Sequence, residues 1–284
     1  MKVVITGANS AVGQAILRCG LTQGTEGKTL VAAVRSERAA EQIVPLLGTR
    51  NSVARISYDN PASLDEAFRG ASAVVHLAGI LVEQPASTYE QTNVAPTRSV
   101  VAAAMRCAAE KFVLVSATGA DETSSNGYYR SKGLAEALVR ESGLNYTILR
   151  APLLLGPGTE GAAALMRNAS GSKVRLIGGG RNIQQPLSVD DLARAALVAA
   201  QPSIARNRTL NVVGPVSLPE RELVTRAARL LGHEIRIASI SKRLLCFRRE
   251  DFTAFSILAA ISCALGPNLL TLPNSFQTSS FTLL

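Results

Sequence analysis

Gly7, Ser10 and Gly13 punctuate the segment Gly7-Ala8-Asn9-Ser10-Ala11-Val12-Gly13, which follows an apolar run and opens a stretch with apolar residues at helical spacing. A phosphate-binding turn needs that order of strand, loop and helix. Gly7 permits the tight turn, Gly13 lets helix and strand approach closely, and the helix N-terminus offers backbone N–H groups to a pyrophosphate. Ser10 stands where a middle glycine is usual, and its small hydroxyl is expected to fit and to donate to phosphate. In isolation such a segment is an ordinary strand-to-helix turn. With further strands and helices alternating after it, the segment predicts a dinucleotide site contacted by Gly7, Asn9, Ser10, Ala11, Val12 and Gly13.

Sites that select NAD place a carboxylate about 20 to 30 residues beyond the loop, on the ribose 2′-hydroxyl. Here the second apolar run ends Ala33-Val34-Arg35-Ser36, with Arg38 close behind. Arg35 offers charge and donors for a 2′-phosphate, so NADP(H) is expected in preference to NAD(H). The competing role for Arg35 is a solvated arginine at a helix start.

The elements that must position these residues are legible in the same alternation. Val3–Ile5, Leu30–Val34, Val53–Ile56, Ala73–Leu77, Phe112–Val115 and Tyr146–Leu149 are expected strands. Between them, Ala11–Cys19, Glu37–Leu47, Ser63–Phe68, Thr88–Ala109 and Tyr128–Glu141 carry helical periodicity. Apolar strands separated by helices imply an α/β fold, a doubly wound parallel Rossmann sheet covered on both faces. After Arg150 the punctuation changes, with Pro152, Gly156-Pro157-Gly158 and Gly178-Gly179-Gly180. The expected division is a nucleotide-binding domain over 1–150, then over 151–284 the last sheet elements interleaved with a small substrate-side region.

A chain of 284 residues with 47% apolar and 18% charged residues is globular rather than disordered or fibrous. Its net charge of +9 comes from scattered basic residues without aromatic interleaving, which suits a phosphate-rich cofactor better than nucleic acid. Cys19, Cys107, Cys246 and Cys263 lie far apart, so neither a disulfide framework nor a metal site is expected. The first strand begins at Lys2 with no export signal before it, and a cytoplasmic location is the expectation. Phe252–Leu272 carries no charge and follows Lys242, Arg243, Arg248 and Arg249, but Gly266-Pro267 interrupts it. The continuous part is shorter than the roughly 20 residues a membrane span needs. A buried helix of the cap or a peripheral membrane or protein contact is expected there; the oligomeric state is left open.

Six segments together resemble the short-chain dehydrogenase/reductase superfamily, in its extended or atypical, epimerase/dehydratase-like branch. They are VVITGANSAVG, AVVHLAG at 73–79, KFVLVSATGAD at 111–121, YYRSK at 128–132, TILRAPLLLGPG at 147–158 and QQPLSVDDLARA at 184–195. The resemblance covers roughly the first 200 residues. It implies that Leu77, Ala78 and Gly79 border the cofactor, that Asp59 faces the adenine, and that Pro152 and Leu153 contact the nicotinamide amide. His76 is expected to fill its strand, and Asn93 to hold the shape of its helix or a water chain. Arg181 sits where basic residues of sugar-nucleotide relatives approach a diphosphate, or is simply an exposed loop charge. Asp190 and Asp191 suit a helix start after Ser188.

The same resemblance makes Tyr128 the group that gives or takes the substrate proton and Lys132 its electrostatic partner and ribose contact. Four residues apart, they share one helix face. A phenol with a pKa near 10 is a poor base at neutral pH, and a neighbouring ammonium favours its ionised form. Ser116 is expected to hydrogen-bond the reacting oxygen, with Thr118 as its competitor. The implied activity is NADP(H)-dependent transfer of a hydride to or from a carbonyl or secondary alcohol of a small molecule. Two alternatives stand beside it. One is a non-catalytic NADPH-binding subunit, similar to the dehydrogenase-like accessory subunit of respiratory complex I; the other is a nucleotide-sugar epimerase or dehydratase.

Overall fold

The computed structural model describes residues 1–22 and 27–241. Within them the chain forms two compact units, 1–163 with 183–218 and 164–182 with 219–241. In chain order the elements begin β1 (Lys2–Thr6), α1 (Ala11–Thr22), β2 (Thr29–Val34), α2 (Glu37–Ile43), β3 (Ser52–Arg55), α3 (Pro61–Phe68) and β4 (Ala73–His76). They continue with α4 (Ala95–Arg106), β5 (Lys111–Ala117), α5 (Gly127–Glu141), β6 (Tyr146–Ala151), β7 (Leu154–Leu155), α6 (Glu160–Ala169) and β8 (Lys173–Ile177). The last are β9 (Ile183–Gln184), β10 (Leu187–Ser188), α7 (Val189–Ala199), β11 (Arg208–Asn211), β12 (Leu218–Pro219), α8 (Glu220–Leu230) and β13 (Arg236–Ile240).

The first unit is built on a seven-stranded sheet in the order β11-β6-β5-β4-β1-β2-β3, every pair parallel. Helices cover both faces, as the unbroken apolar strands require. Along β1, Val3 and Ile5 join a core with Ile16 of α1, Ala40 of α2 and Leu192 of α7. Val4 points to the opposite core, with Leu64 of α3, Val100 of α4 and Ala135 of α5. Each fully buried Val, Leu or Ile of this kind contributes roughly 1.5–3 kcal/mol relative to exposure. The strand order reverses between β1 and β4, and in open parallel sheets the crevice at such a switch, beyond the strands' carboxyl ends, receives ligands.

Each of the six expected strands is present within two residues of its expected ends. The edge strand β11 is an addition. All four of its residues are exposed, so it has no apolar run to betray it, and it is placed by pairing alone with β6. The expected helix over 88–109 also changes character at its start, where Glu90–Val94 form a π-helical turn before α4. Pro96 accounts for this: it has no N–H for a bond to the carbonyl four residues back, and a wider turn avoids its ring.

In the second unit β8 and β13 pair in parallel, and three consecutive left-handed glycines, Gly178 to Gly180, turn the chain after β8. Among the described residues no helix is long and apolar enough to cross a membrane, and no group of three His, Cys, Asp or Glu side chains is placed to hold a metal ion. The stretch Phe252–Leu272 lies outside the described residues.

Candidate active site

The loop from Gly7 to Gly13 joins β1 to α1 at the switch point. Gly7 is left-handed (φ +72°), and a Cβ on it would stand 3.2 Å from the Ala78 amide nitrogen in the loop after β4. At Gly13 a Cβ would overlap the carbonyl oxygen of Ala8. Ser10 does local work: its N–H donates to Gly7 O at 3.0 Å and its Oγ accepts the Gly13 N–H at 3.1 Å. The Ser10 oxygen therefore caps α1, and only the hydroxyl proton remains for a phosphate. Gln14 N–H is taken by Ser10 O at 2.8 Å, and the Asn9 carbonyl accepts from Gln14 Nε2 at 3.0 Å. The first-turn amides of Ala11 and Val12 have no acceptor among the described residues, so they are the donors open to an anion. The Gly156–Gly158 turn reaches over this loop, with a Cβ on Gly158 lying 3.6 Å from Ala11 Cβ. Open amides, crowded glycines and a helix dipole make a cradle that fits a dinucleotide pyrophosphate.

At the end of β2, Arg35 is exposed and its guanidinium lies 5.9 Å from the centroid of the Tyr58 ring. Ser36 is occupied as the cap of α2, its Oγ accepting Ala39 N–H at 3.2 Å. Glu37, the nearest carboxylate in sequence, is bridged to Arg55 at 3.0 Å. Asp59 follows Tyr58 on the exposed rim. Burial pushes the Tyr58 phenol up to about 12, against the charge of Arg35.

Beneath the loops runs a closed polar chain. Thr97 gives its one hydroxyl proton to the Asn93 carbonyl at 2.6 Å, so its oxygen must accept from His76 Nε2–H at 3.1 Å. His76 Nδ1 is then an acceptor and takes the Thr6 hydroxyl at 2.6 Å. This fixes a neutral imidazole; burial, then the charge of Lys132, pushes its pKa down to about 3. His76 fills its strand, as expected.

Asn93, in the π turn, is fully used. Its Oδ1 accepts Ile80 N–H at 2.7 Å, and its Nδ2 donates to Ser131 Oγ at 2.9 Å and Ile80 O at 3.3 Å. It thus ties the loop after β4, which holds Leu77, Ala78 and Gly79, to α5. Of the two expectations for Asn93, the arrangement is that of a shape-holding residue. A Cβ on Gly79 would meet Asn93 Oδ1 at 3.0 Å and Lys132 Nζ at 3.6 Å, which places the lysine head directly beside this loop.

Asn126 caps α5 by accepting Tyr129 N–H at 3.1 Å, so the helix begins one residue before Tyr128. The Tyr128 ring lies between Tyr89 and Tyr129, with centroids 6.1 and 5.4 Å away. Burial, then the neighbouring Tyr129 and Tyr89, hold its phenol above the ordinary value. Lys132 is buried and its Nζ donates to Val115 O at 3.1 Å. Burial pulls its pKa down to about 8, opposed by the charge of Glu136.

Ser116 is brought to the same end of β5, yet its hydroxyl donates to Glu136 Oε1 at 2.6 Å. Glu136, fully buried, also accepts from Arg150 Nε at 2.8 Å and Nη2 at 2.7 Å, and from Arg140 at 2.9 Å. Thr118 differs: its Oγ1 is buried without a hydrogen-bond partner among the described residues. Across the sheet, Pro152 and Leu153 follow β6, and the Leu153 carbonyl is spent on Leu187 N–H at 2.9 Å. Sequence reasoning missed the Glu136–Arg150 pair. Its signal was an arginine at the end of an otherwise apolar strand, TILRA, which needs a buried counter-charge.

Residues 7–199 match the family model described as NAD(P)H-binding. The chain is 25% identical over 240 residues to ceramide reductase of Caulobacter vibrioides, covering 83% of this chain and 72% of that one. It is also 25% identical over 256 residues to a photosystem II assembly factor of Synechocystis sp., covering 90% and 75%. Among solved structures, UDP-glucuronic acid 4-epimerase from Bacillus cereus, in complex with UDP-glucuronic acid and NAD, superposes with a TM-score of 0.71. The identity there is 16%, over 93% of this chain and 99% of that one, and the likeness is one of fold.

Proposed function

The chain belongs to the NAD(P)H-binding family, and from that premise we propose that it is an NADP(H)-dependent oxidoreductase acting on a carbonyl or secondary alcohol of a small molecule. The observation that carries this is the placement of Tyr128 and Lys132 on one face of α5, with the lysine head buried beside Gly79 and Val115 at the crevice. The nicotinamide, when bound, supplies or accepts the hydride. Ala11 and Val12 amides hold the pyrophosphate, Lys132 the ribose, and Arg35 the 2′-phosphate. Tyr128, its phenol protonated at neutral pH, gives a proton to the carbonyl oxygen in the direction of reduction. A relative named ceramide reductase supports that direction.

Thr118, rather than Ser116, is proposed to orient the reacting oxygen, because its hydroxyl has no partner among the described residues while Ser116 is committed to Glu136. Thr118→Val keeps the shape and should lower kcat at least about tenfold on a carbonyl found by screening, without lowering the melting temperature. Ser116→Ala should instead cost stability. If Thr118→Val is fully active while a folded Ser116→Ala is inactive, the assignment reverts to Ser116.

Preference for NADPH is proposed from Arg35 together with the absence of a carboxylate at 33–36. Arg35→Asp should weaken NADPH by at least about tenfold more than NADH, since a charge-assisted phosphate contact is lost and a repulsion gained. Fluorescence titration of both cofactors checks this; a wild type that already prefers NADH removes the role from Arg35. A second reading, a cofactor-binding assembly protein, is favoured by the relative named a photosystem II assembly factor. A large NADPH-induced rise in melting temperature, with no turnover across a broad panel of carbonyls and alcohols, would select it.

A further inference from the structure

We propose that Glu136 is a positioning residue for Lys132, clamping α5 onto the end of β5 through Ser116 and Arg150 and supplying the negative charge that balances the buried ammonium. Its catalytic meaning rests on the reading of Lys132 as the ribose contact.

The clamp has two jaws one helical turn apart. Lys132 Nζ grips the carbonyl of Val115, and Glu136 Oε1 accepts the hydroxyl of the next residue, Ser116. Arg150, on the neighbouring strand β6, closes on Glu136 with two nitrogens and reaches Ala120 O at 3.0 Å. Helix α5 is therefore pinned to two adjacent strands and to the loop that follows Thr118. Loss of the carboxylate frees the register on which the positions of Tyr128 and Lys132 depend.

Charge argues in the same direction. The groups facing Lys132 are His76 from β4, which is neutral, Glu136 on its own helix, the Asn93 carboxamide from the π turn, and the Val115 carbonyl from β5. Arg150 from β6 and Arg140 of α5 lie beyond Glu136 and are paired to it. Burial alone would raise the Glu136 carboxyl, but hydrogen bonds from Arg150, Ser116 and Arg140, and the charge of Arg150, hold it below the usual carboxylate range. Glu136 is thus ionised throughout the neutral range. Removing its charge takes away the attraction that opposes burial at Lys132, which disfavours the ammonium.

The test reads the lysine itself, without cofactor. In the full-length chain labelled with [ε-13C]lysine, the Lys132 signal, assigned with Lys132→Met, should titrate near 8. Lys111 serves as an internal control: it is also buried and lowered to about 8, and its Nζ donates to Asn145 Oδ1 at 3.1 Å and Ile204 O at 2.8 Å, at the opposite end of β5. Glu136→Gln should lower the Lys132 midpoint by about one pH unit and leave Lys111 unmoved. Arg140→Met, at a half-exposed site, should raise it by a smaller amount. In Glu136→Gln, NADPH affinity relative to wild type should fall a further roughly sevenfold between pH 6 and pH 8.5, because the ammonium is lost at lower pH. An unmoved Lys132 midpoint in Glu136→Gln, or equal movement of Lys132 and Lys111, overturns the proposal. Should Glu136→Gln fail to fold, Arg140→Met decides, and an unmoved midpoint there also overturns it. If the midpoints shift as expected but wild type binds no nicotinamide dinucleotide, the clamp stands and the assigned function falls.

Discussion

Tyr128→Phe is expected to bind NADPH with near-wild-type affinity and to lose at least about 10²-fold in turnover, the scale of a general acid–base group. Phenylalanine retains the ring that packs between Tyr89 and Tyr129, so the helix face and the Asn126 cap are undisturbed. Only the hydroxyl is removed, and with it the proton for the carbonyl oxygen. Stopped-flow or steady-state oxidation of NADPH, beside a thermal melt to show an intact fold, separates the two effects. Unchanged turnover of an established substrate by this variant would remove the active site from α5.

Gly13→Ala should weaken NADPH binding about 100-fold and lower stability by about 1–3 kcal/mol, the scale of overpacking at a site that cannot yield. The added methyl would overlap Ala8 O, and Ala8 C and Cα lie scarcely farther away; all are backbone atoms, so no rotamer change relieves the clash. Either α1 tilts away from the loop or the loop opens, and both withdraw the Ala11 and Val12 amides from the phosphate. Gly143→Ala is the matched control. Gly143 is also left-handed (φ +74°), but no atom of the described residues lies within 4 Å of a Cβ placed there. It should cost about 1 kcal/mol in stability and leave binding alone. Calorimetric titration of both variants tests the pair, and wild-type affinity in Gly13→Ala would show that the loop is not the phosphate site.

Much of this architecture was legible from local pattern. Apolar runs such as Ala73 to Val75 can be buried only in a sheet covered on both faces, and the glycines of the first loop are there because a side chain has no room. Sequence alone placed Tyr128 and Lys132 on one helix face, since four-residue spacing is geometry within a single element. It could not tell that Ser10 uses its oxygen to cap α1, because capping and phosphate donation ask for the same residue type at the same place.

What the sequence by itself determined, then, was the order of elements, the switch-point loop and the pair on α5, each a consequence of periodicity or of backbone space. Tertiary structure decided which hydroxyl, among the described residues, is already committed. Ser116 and Thr118 stand two residues apart, and their difference arises from Glu136 and Arg150, brought together from α5 and β6. It also decided that Asn93 binds a loop to a helix, and that an exposed four-residue segment becomes the edge strand β11. These outcomes depend on partners distant in the chain. A buried polar group takes whichever partner the packed fold delivers, because leaving it unpaired costs about 1–3 kcal/mol, and no local spacing encodes that choice.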